Sequence, residues 1–304
     1  MVIMCISLKA QTNIWQPSAG HTQNAIWPGA APDTQPAPGL EYVTNATTAS
    51  GIKWVCAGNV VQPTMTVYSP EGTNTGVAVI VFPGGGYWNL TMDLEGTEIC
   101  NWLNSKGITA VLLKYRVPNS GPHWELHHHV EPKAPLALED AQRTIGLVRL
   151  HAAEWHIDPH KVGVIGFSAG GHLVANVSTH FSKRAYPPVD AADKESCRPD
   201  FGMAIYPGHM TENTTNEFDL NPTIPVTRKT PPQFIVQAED DHVDGVEQAL
   251  VYYIGLKNAG VPAEMHLYAQ GGHAFGLRPS KYPVATEWPQ LAEKWLGTIG
   301  MILE

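Results

Sequence analysis

The sequence predicts an α/β domain in which a mostly parallel central sheet is covered by helices on both faces. Three observations carry that prediction. Strand-like apolar runs alternate with helical patterns along most of the chain, as successive β-α units require. Some of these runs, "GVAVIVF" above all, are apolar at every position instead of every second one, the mark of a strand buried on both faces. Finally, "VGVIGFSAGGHLVA", residues 162–175, sets Ser168 between such a run and a helical pattern.

Taken in order, a Pro- and Gly-rich lead-in from Pro28 to Gly39 precedes "TMTVYSP", which alternates like a half-buried strand and ends at Pro70. "GVAVIVF" follows and stops at Pro83, because proline cannot continue a ladder. "EGTEICNWLNSKG" reads as a helix closed by Gly107, and "ITAVLLKYR" as the next strand. A long loop from Val117 to Lys133 carries His123, Trp124 and His127 to His129. "APLALEDAQRTIGLVRLHAAEWHI" is a strongly amphipathic helix that leads through "DPHK" to the strand before Ser168. Beyond it, "FGMAIYP" is a strand, Gly208 to Pro232 a polar loop, "QFIVQAE" a strand, and "VEQALVYYIGLKNAG" a helix stopped by Gly260. "AEMHLYA" is the last strand. The final helix, "ATEWPQLAEKWLGTIG", places Trp288, Leu291, Trp295 and Leu296 on one face for the core.

The chain has 304 residues, with no internal repeat, low-complexity linker or block of like charge. One catalytic domain over residues 41–304, behind a lead-in over residues 1–40, is therefore expected. A formal charge of −9 argues against a nucleic-acid surface, which needs clustered Lys and Arg, and leaves little to hold an anionic membrane. No apolar run reaches the roughly 20 residues of a spanning helix. The start, "MVIMCISLKAQTN", joins a short apolar stretch to Lys9, Ala10 and Gln11 in the manner of a cleavage site, although it lacks a basic n-region. A signal remnant, and with it a periplasmic or secreted location, is the expectation; an ordinary N-terminal strand and a cytoplasmic location are the alternative. Cys5, Cys56, Cys100 and Cys197 form no C-x-x-C pair and read as buried small hydrophobes.

Ser168 sits in the pattern G-x-S-x-G, with Gly166 and Gly170 removing side chains that would clash across a tight turn. A serine hydroxyl is a poor nucleophile unless a base lies within hydrogen-bond reach and a third group orients that base. "YAQGGHAFG" supplies His273 in a Gly-rich loop after the last strand, and "VQAEDDHVDG" supplies Glu239, Asp240, Asp241 and Asp244 after the strand before it. The residues alone leave open which carboxylate serves. Asp244 reads as solvated or as a cap of the following helix. His172 reads as a helix-face histidine bonded to a neighbour, because it cannot readily reach over its own helix to Ser168. The three successive histidines have no accompanying ligand set, and neither metal nor cofactor is expected.

The order serine, acid, histidine after successive strands resembles the α/β-hydrolase superfamily, and the resemblance runs from Thr64 to the final helix. It implies the α/β-hydrolase fold and acyl transfer through an acyl-enzyme. "AEDDHV" is similar to the lipase and esterase form in which the acid lies two residues past the Glu, which selects Asp241, with Asp240 as its rival. "FPGGGYW" resembles the H-G-G-G loop of hormone-sensitive-lipase-like esterases, with Pro83 in place of the histidine. That match implies an oxyanion hole built from the amides of Gly85, Gly86 and Ala169.

Within the superfamily, "PGGGYWNL", "GITAVLLKYRVP", "DPHKVGVIGFSAGGHLVA", "TPPQFIVQAEDDHV", "YAQGGHAFGL" and "TEWPQLAEKWL" resemble the carbohydrate esterases that include acetylxylan esterases and rumen-type bifunctional acetyl and feruloyl esterases. The resemblance implies deacetylation of xylan or xylo-oligosaccharides. Feruloyl or dual acetyl and feruloyl cleavage is the alternative, followed by general short-chain carboxylesterase activity. A peptidase or a non-catalytic binding module fits less well. Acetylated or feruloylated hemicellulose fragments are then the expected partners, and Tyr87, Trp88, Trp124 and Phe275 the expected substrate contacts, since flat aromatic faces suit sugar or feruloyl rings.

Overall fold

The computed structural model describes residues 14–34, 39–47, 53–118, 133–211 and 214–303. Its main sheet runs in the order β1 (Gln23–Ala25), β4 (Thr64–Tyr68), β7 (Thr109–Lys114), β5 (Ala78–Phe82), β8 (Val162–Phe167), β9 (Gly202–Ile205), β10 (Gln233–Ala238), β11 (Ala263–Tyr268). From β7 to β11 every neighbouring pair is parallel, while β4 and β1 continue the sheet antiparallel. All residues of β5, β7, β8, β9 and β10 are buried, which is why their sequences need no alternation. The edge strand β11 is only partly covered.

Helices α1 (Glu98–Ser105), α2 (Lys133–Leu150), α3 (Ala169–Thr179), α4 (Val246–Ala259) and α5 (Val284–Thr298) cover the sheet. Adjacent residues of β10 show how the two faces divide. Phe234 meets the Trp295 ring of α5 at 5.5 Å, whereas Ile235 packs in a cluster with Ala175 of α3 and Ala249, Tyr252 and Leu256 of α4. Trp288 of α5 lies against Trp102 of α1 and Phe167 of β8, fully buried. Cys56, Cys100 and Cys197 are buried free thiols. No helix of the described residues is long and apolar enough to cross a membrane.

Three differences from the sequence expectation stand out. Part of the lead-in is built into the domain: β1 lies in the sheet, and Trp15, Ile26 and Trp27 are in the core. The Trp27 indole donates to Asp140 Oδ1 at 2.9 Å, Arg143 donates to the Ile26 carbonyl at 2.8 Å, and Arg116 donates to the Pro32 carbonyl. Arg116 is itself paired with Asp140 and Glu139. Secondly, a small antiparallel sheet of β2 (Tyr42–Thr47), β3 (Lys53–Gly58) and β6 (Asn89–Thr91) stands beside the main one. Thirdly, α2 ends at Leu150 instead of running to Ile157; turns follow, and His156 takes φ +55° to bring Asp158 onto the Gly76 carbonyl.

Candidate active site

Ser168 occupies the turn between β8 and α3 at φ +53° and ψ −120°, a conformation costly for a residue with a side chain. The flanking glycines make the turn possible. A Cβ on Gly166 would lie 2.0 Å from the Gly170 carbonyl oxygen, and one on Gly170 would lie 2.1 Å from that of Phe82. The turn leaves the Ser168 hydroxyl beside the loops that follow β10 and β11.

Those loops bring in the expected partners. His273 Nε2 is 3.0 Å from Ser168 Oγ, and its Nδ1 is 2.7 Å from Asp241 Oδ2. A proton on Nδ1, donated to Asp241, leaves Nε2 free to receive the serine proton. Asp241 is buried, and its Oδ1 accepts the amides of Val243 and Asp244 at 2.8 and 3.1 Å, which fixes the carboxylate. Asp240 does not touch the imidazole. Its Oδ1 accepts the amides of Gly271 and Gly272 at 2.8 and 2.7 Å, tying down the loop that carries His273. Burial by itself would lower the His273 pKa; the hydrogen bond to Asp241 and the charges of Asp244, Asp241 and Glu95 outweigh it and hold the imidazole above its ordinary value.

The glycine loop after β5 faces the same turn. Gly85 and Gly86 take φ +127° and +62°, and a Cβ on Gly85 would lie 2.2 Å from the Asn89 carbonyl oxygen. The Gly84 amide is already spent on Glu95 Oε2 at 2.8 Å. Among the described residues no acceptor takes the amides of Gly85, Gly86 or Ala169. Tyr115 steadies the loop from below by donating to the Pro83 carbonyl at 2.6 Å.

Other expectations need correction. Tyr87 is fully buried, and its hydroxyl is bonded to His172 Nδ1 at 2.8 Å. Phe275 is also buried, packed edge-on against Tyr206 at 4.4 Å. Both side chains face inward from their loops, so neither presents a flat face to substrate. Trp88 is half-buried. Trp124 and the three histidines at 127–129 lie outside the described residues. His172 is bonded to its neighbours, as expected of a helix-face histidine, and burial lowers its pKa well below the usual imidazole value.

Asp244 is neither solvated nor a helix cap. Gly245 caps α4, and the Asp244 side chain, only 16% exposed, places Oδ2 3.1 Å from Ser168 Oγ. Glu95, which sequence reasoning did not single out, is buried beneath the glycine loop, where it accepts the Gly84 amide and the Tyr206 hydroxyl. Burial pushes its carboxyl up, against the pull of His273. Neither residue carries a local sequence signal: an acid beside a helix start reads as exposed.

The BD-FAE family matches residues 65–198 of the chain. The crystal structure of an acetyl ester-xyloside bifunctional hydrolase from Caldicellulosiruptor lactoaceticus is similar at 30% identity and a TM-score of 0.72, covering 96% of this chain and 99% of that one. Acetylxylan esterase of Xylanibacter ruminicola is 31% identical over 226 residues, 70% of this chain and 44% of that protein. Endo-1,4-beta-xylanase B of Butyrivibrio fibrisolvens is 28% identical over 220 residues, 67% of this chain and 33% of that protein. The chain thus spans less than half the length of these two curated relatives. A serine turn flanked by its glycines, a parallel sheet that presents it, and a relationship that extends over nearly the whole of the solved acetyl ester-xyloside bifunctional hydrolase lead to one conclusion: the chain belongs to the BD-FAE family of α/β-hydrolase esterases.

Proposed function

We propose that the protein is a serine esterase that removes acetyl groups from xylan or xylo-oligosaccharides. The observation that carries the chemistry is the unbroken run from Ser168 Oγ to His273 Nε2 at 3.0 Å and from His273 Nδ1 to Asp241 Oδ2 at 2.7 Å. In this reading Oγ attacks the acyl carbon and its proton passes to Nε2. The oxygen of the tetrahedral intermediate is received by the amides of Gly85, Gly86 and Ala169, each donor contributing about 3 to 4 kcal/mol at that stage. His273 then returns the proton to the departing sugar oxygen, leaving an acetyl-enzyme, and water repeats the sequence to release acetate. Asp241 keeps the proton on Nδ1 and offsets the imidazolium charge.

The substrate class is supported by relatives whose names join acetyl esters to xylan or xyloside. The inward turn of Tyr87 and Phe275 removes two of the four aromatic surfaces that a feruloyl ring would have used, which favours acetate as the acyl group. The test is side-by-side measurement of acetate and ferulate released from acetylated xylo-oligosaccharide and from a feruloylated arabinoxylan fragment, with Ser168→Ala as the blank. Acetate with little ferulate is expected. Ferulate at an equal or greater rate would overturn the acetyl assignment, and neither product would overturn the carbohydrate assignment.

A further inference from the structure

The hydroxyl of Ser168 has one proton and two acceptors within reach, His273 Nε2 at 3.0 Å and Asp244 Oδ2 at 3.1 Å. When His273 is neutral, with its proton on Nδ1, the bare Nε2 and the Asp244 carboxylate compete for that hydroxyl. When His273 is protonated, Nε2–H donates to Oγ, Oγ–H donates to Asp244, and every group has a partner. The same carboxylate lies 3.7 Å from Nε2, so charge favours the protonated ring as well.

The placement is built into the surrounding residues. A Cβ on Gly208 would lie 2.4 Å from Asp244 Oδ1, so the carboxylate fills space that only glycine leaves open. The Asp244 amide donates to Asp241 Oδ1, and its carbonyl accepts from the fully buried Gln237 at 3.0 Å. Several titratable groups lie on the elements around this pair, Asp240 on the amides of Gly271 and Gly272 and His172 against His209. Asp240 and Asp241 come from the loop after β10, Glu95 from the helical turn before α1, Tyr206 and His209 from the segment after β9, and His172 from α3. Burial raises the Asp244 carboxyl above its ordinary value, and the charges of His273 and then His209 offset only part of that rise.

We propose that Asp244 is a second carboxylate of the active site, which accepts the Ser168 hydroxyl whenever His273 is protonated and thereby sets the acidic limit of turnover. This rests on Ser168 and His273 being nucleophile and base. Asp244 takes no proton itself. Once Nε2 loses its proton to solvent, the serine hydroxyl turns to Nε2. In the attack the Oγ–H proton passes to Nε2 while an Oγ electron pair forms the bond to the acyl carbon.

The experiment is the pH profile of kcat/KM for p-nitrophenyl acetate, with Asp244→Asn beside the unmodified protein. The acidic limb is expected to move about 1 unit to lower pH, because the imidazolium loses a charge partner. Gly208→Ala, which displaces the carboxylate without deleting it, should move the limb in the same direction, whereas Glu239→Gln, at an exposed carboxylate of the same loop, should leave it in place. The ring resonance of His273, assigned by its loss in His273→Gln, should titrate at lower pH in Asp244→Asn. That measurement needs no turnover, so a failed esterase assay would count against the proposed function while the ring titration still decides the role of Asp244. If folded Asp244→Asn and Gly208→Ala both keep the original limb and ring titration, Asp244 does not act on His273.

Discussion

Replacing Gly170 with alanine tests whether the serine turn and the proposed oxyanion loop are one mechanical unit. The new Cβ would sit 2.1 Å from the Phe82 carbonyl oxygen, 2.9 Å from the Phe82 carbonyl carbon and 2.9 Å from the Pro83 oxygen, where ordinary contact begins at 3.4 Å. The first distance must therefore open by about 1 Å. Phe82 and Pro83 lead directly into Gly84 to Gly86, so the displacement passes between the Ser168 turn and the amides of Gly85 and Gly86. Misplacement of this size costs on the order of 100-fold in rate, or about 2.7 kcal/mol of barrier. Stability should suffer less, because a crowding cost of about 1 to 3 kcal/mol is offset by about 1 kcal/mol of helix propensity gained when Gly becomes Ala.

The assay is kcat and KM for p-nitrophenyl acetate, with the melting temperature measured on the same preparations. Gly171→Ala is the control. It carries the same change in propensity and meets Pro207 at 2.9 Å, away from the oxyanion loop. Gly170→Ala should lose roughly 100-fold in kcat with a Tm lowered by no more than about 8 °C, and Gly171→Ala should lose far less activity. A folded Gly170→Ala protein with nearly unchanged kcat would refute the reasoning, since the clash would then have been absorbed within α3.

Asp241→Asn should reduce kcat/KM by about 10³ to 10⁴, because the amide favours the wrong tautomer of His273. Asp240→Asn should cost less than about tenfold, since its carbonyl oxygen still accepts the amides of Gly271 and Gly272 and only the charge is lost; kinetics giving the reverse order would reassign the acid. Glu95→Gln tests a linkage. A buried carboxyl whose pKa is raised by folding binds its proton more tightly in the native state, so its contribution to stability falls as pH rises from its ordinary value toward its native one. His273, also raised, contributes stability below its ordinary value that is lost as pH rises through its native value, and removing Glu95 lessens that loss too. Urea unfolding of both proteins between pH 5 and pH 8 should show the difference moving in favour of Glu95→Gln with rising pH, and a constant difference would show that Glu95 stays ionised.

The strands that form the middle of the sheet were legible because burial on both faces leaves a continuous apolar run, visible without any partner. β2 was not, because its exposure follows no strict alternation and its residues include Asn45 and three threonines or alanines on a half-covered surface. The lead-in misled for a related reason. Its prolines and glycines describe a loop, yet what holds it is Arg116, Asp140 and Arg143 reaching it from distant parts of the chain. Buried charges of this kind have no period, and each reads as a surface residue until its partner is known.

The same distinction divides the site. Ser168 was legible because the residues that make its turn possible are its covalent neighbours, and His273 because it follows the last strand in a glycine loop. Tyr87 and Phe275 lie on equally local loops, yet the direction of a side chain depends on what packs beneath it: His172 takes the Tyr87 hydroxyl, and Tyr206 takes the Phe275 ring. Asp244 shows the limit most clearly. Its neighbours Val243 and Gly245 fit a helix start, but the space that admits its carboxylate belongs to Gly208, on another strand's loop. A serine turn of this kind is announced by local backbone demands, whereas the carboxylates beside it are placed by the packing of separate loops. On the proposed role of Asp244, the pH response of the site is therefore a property of the fold, and the serine motif by itself does not contain it.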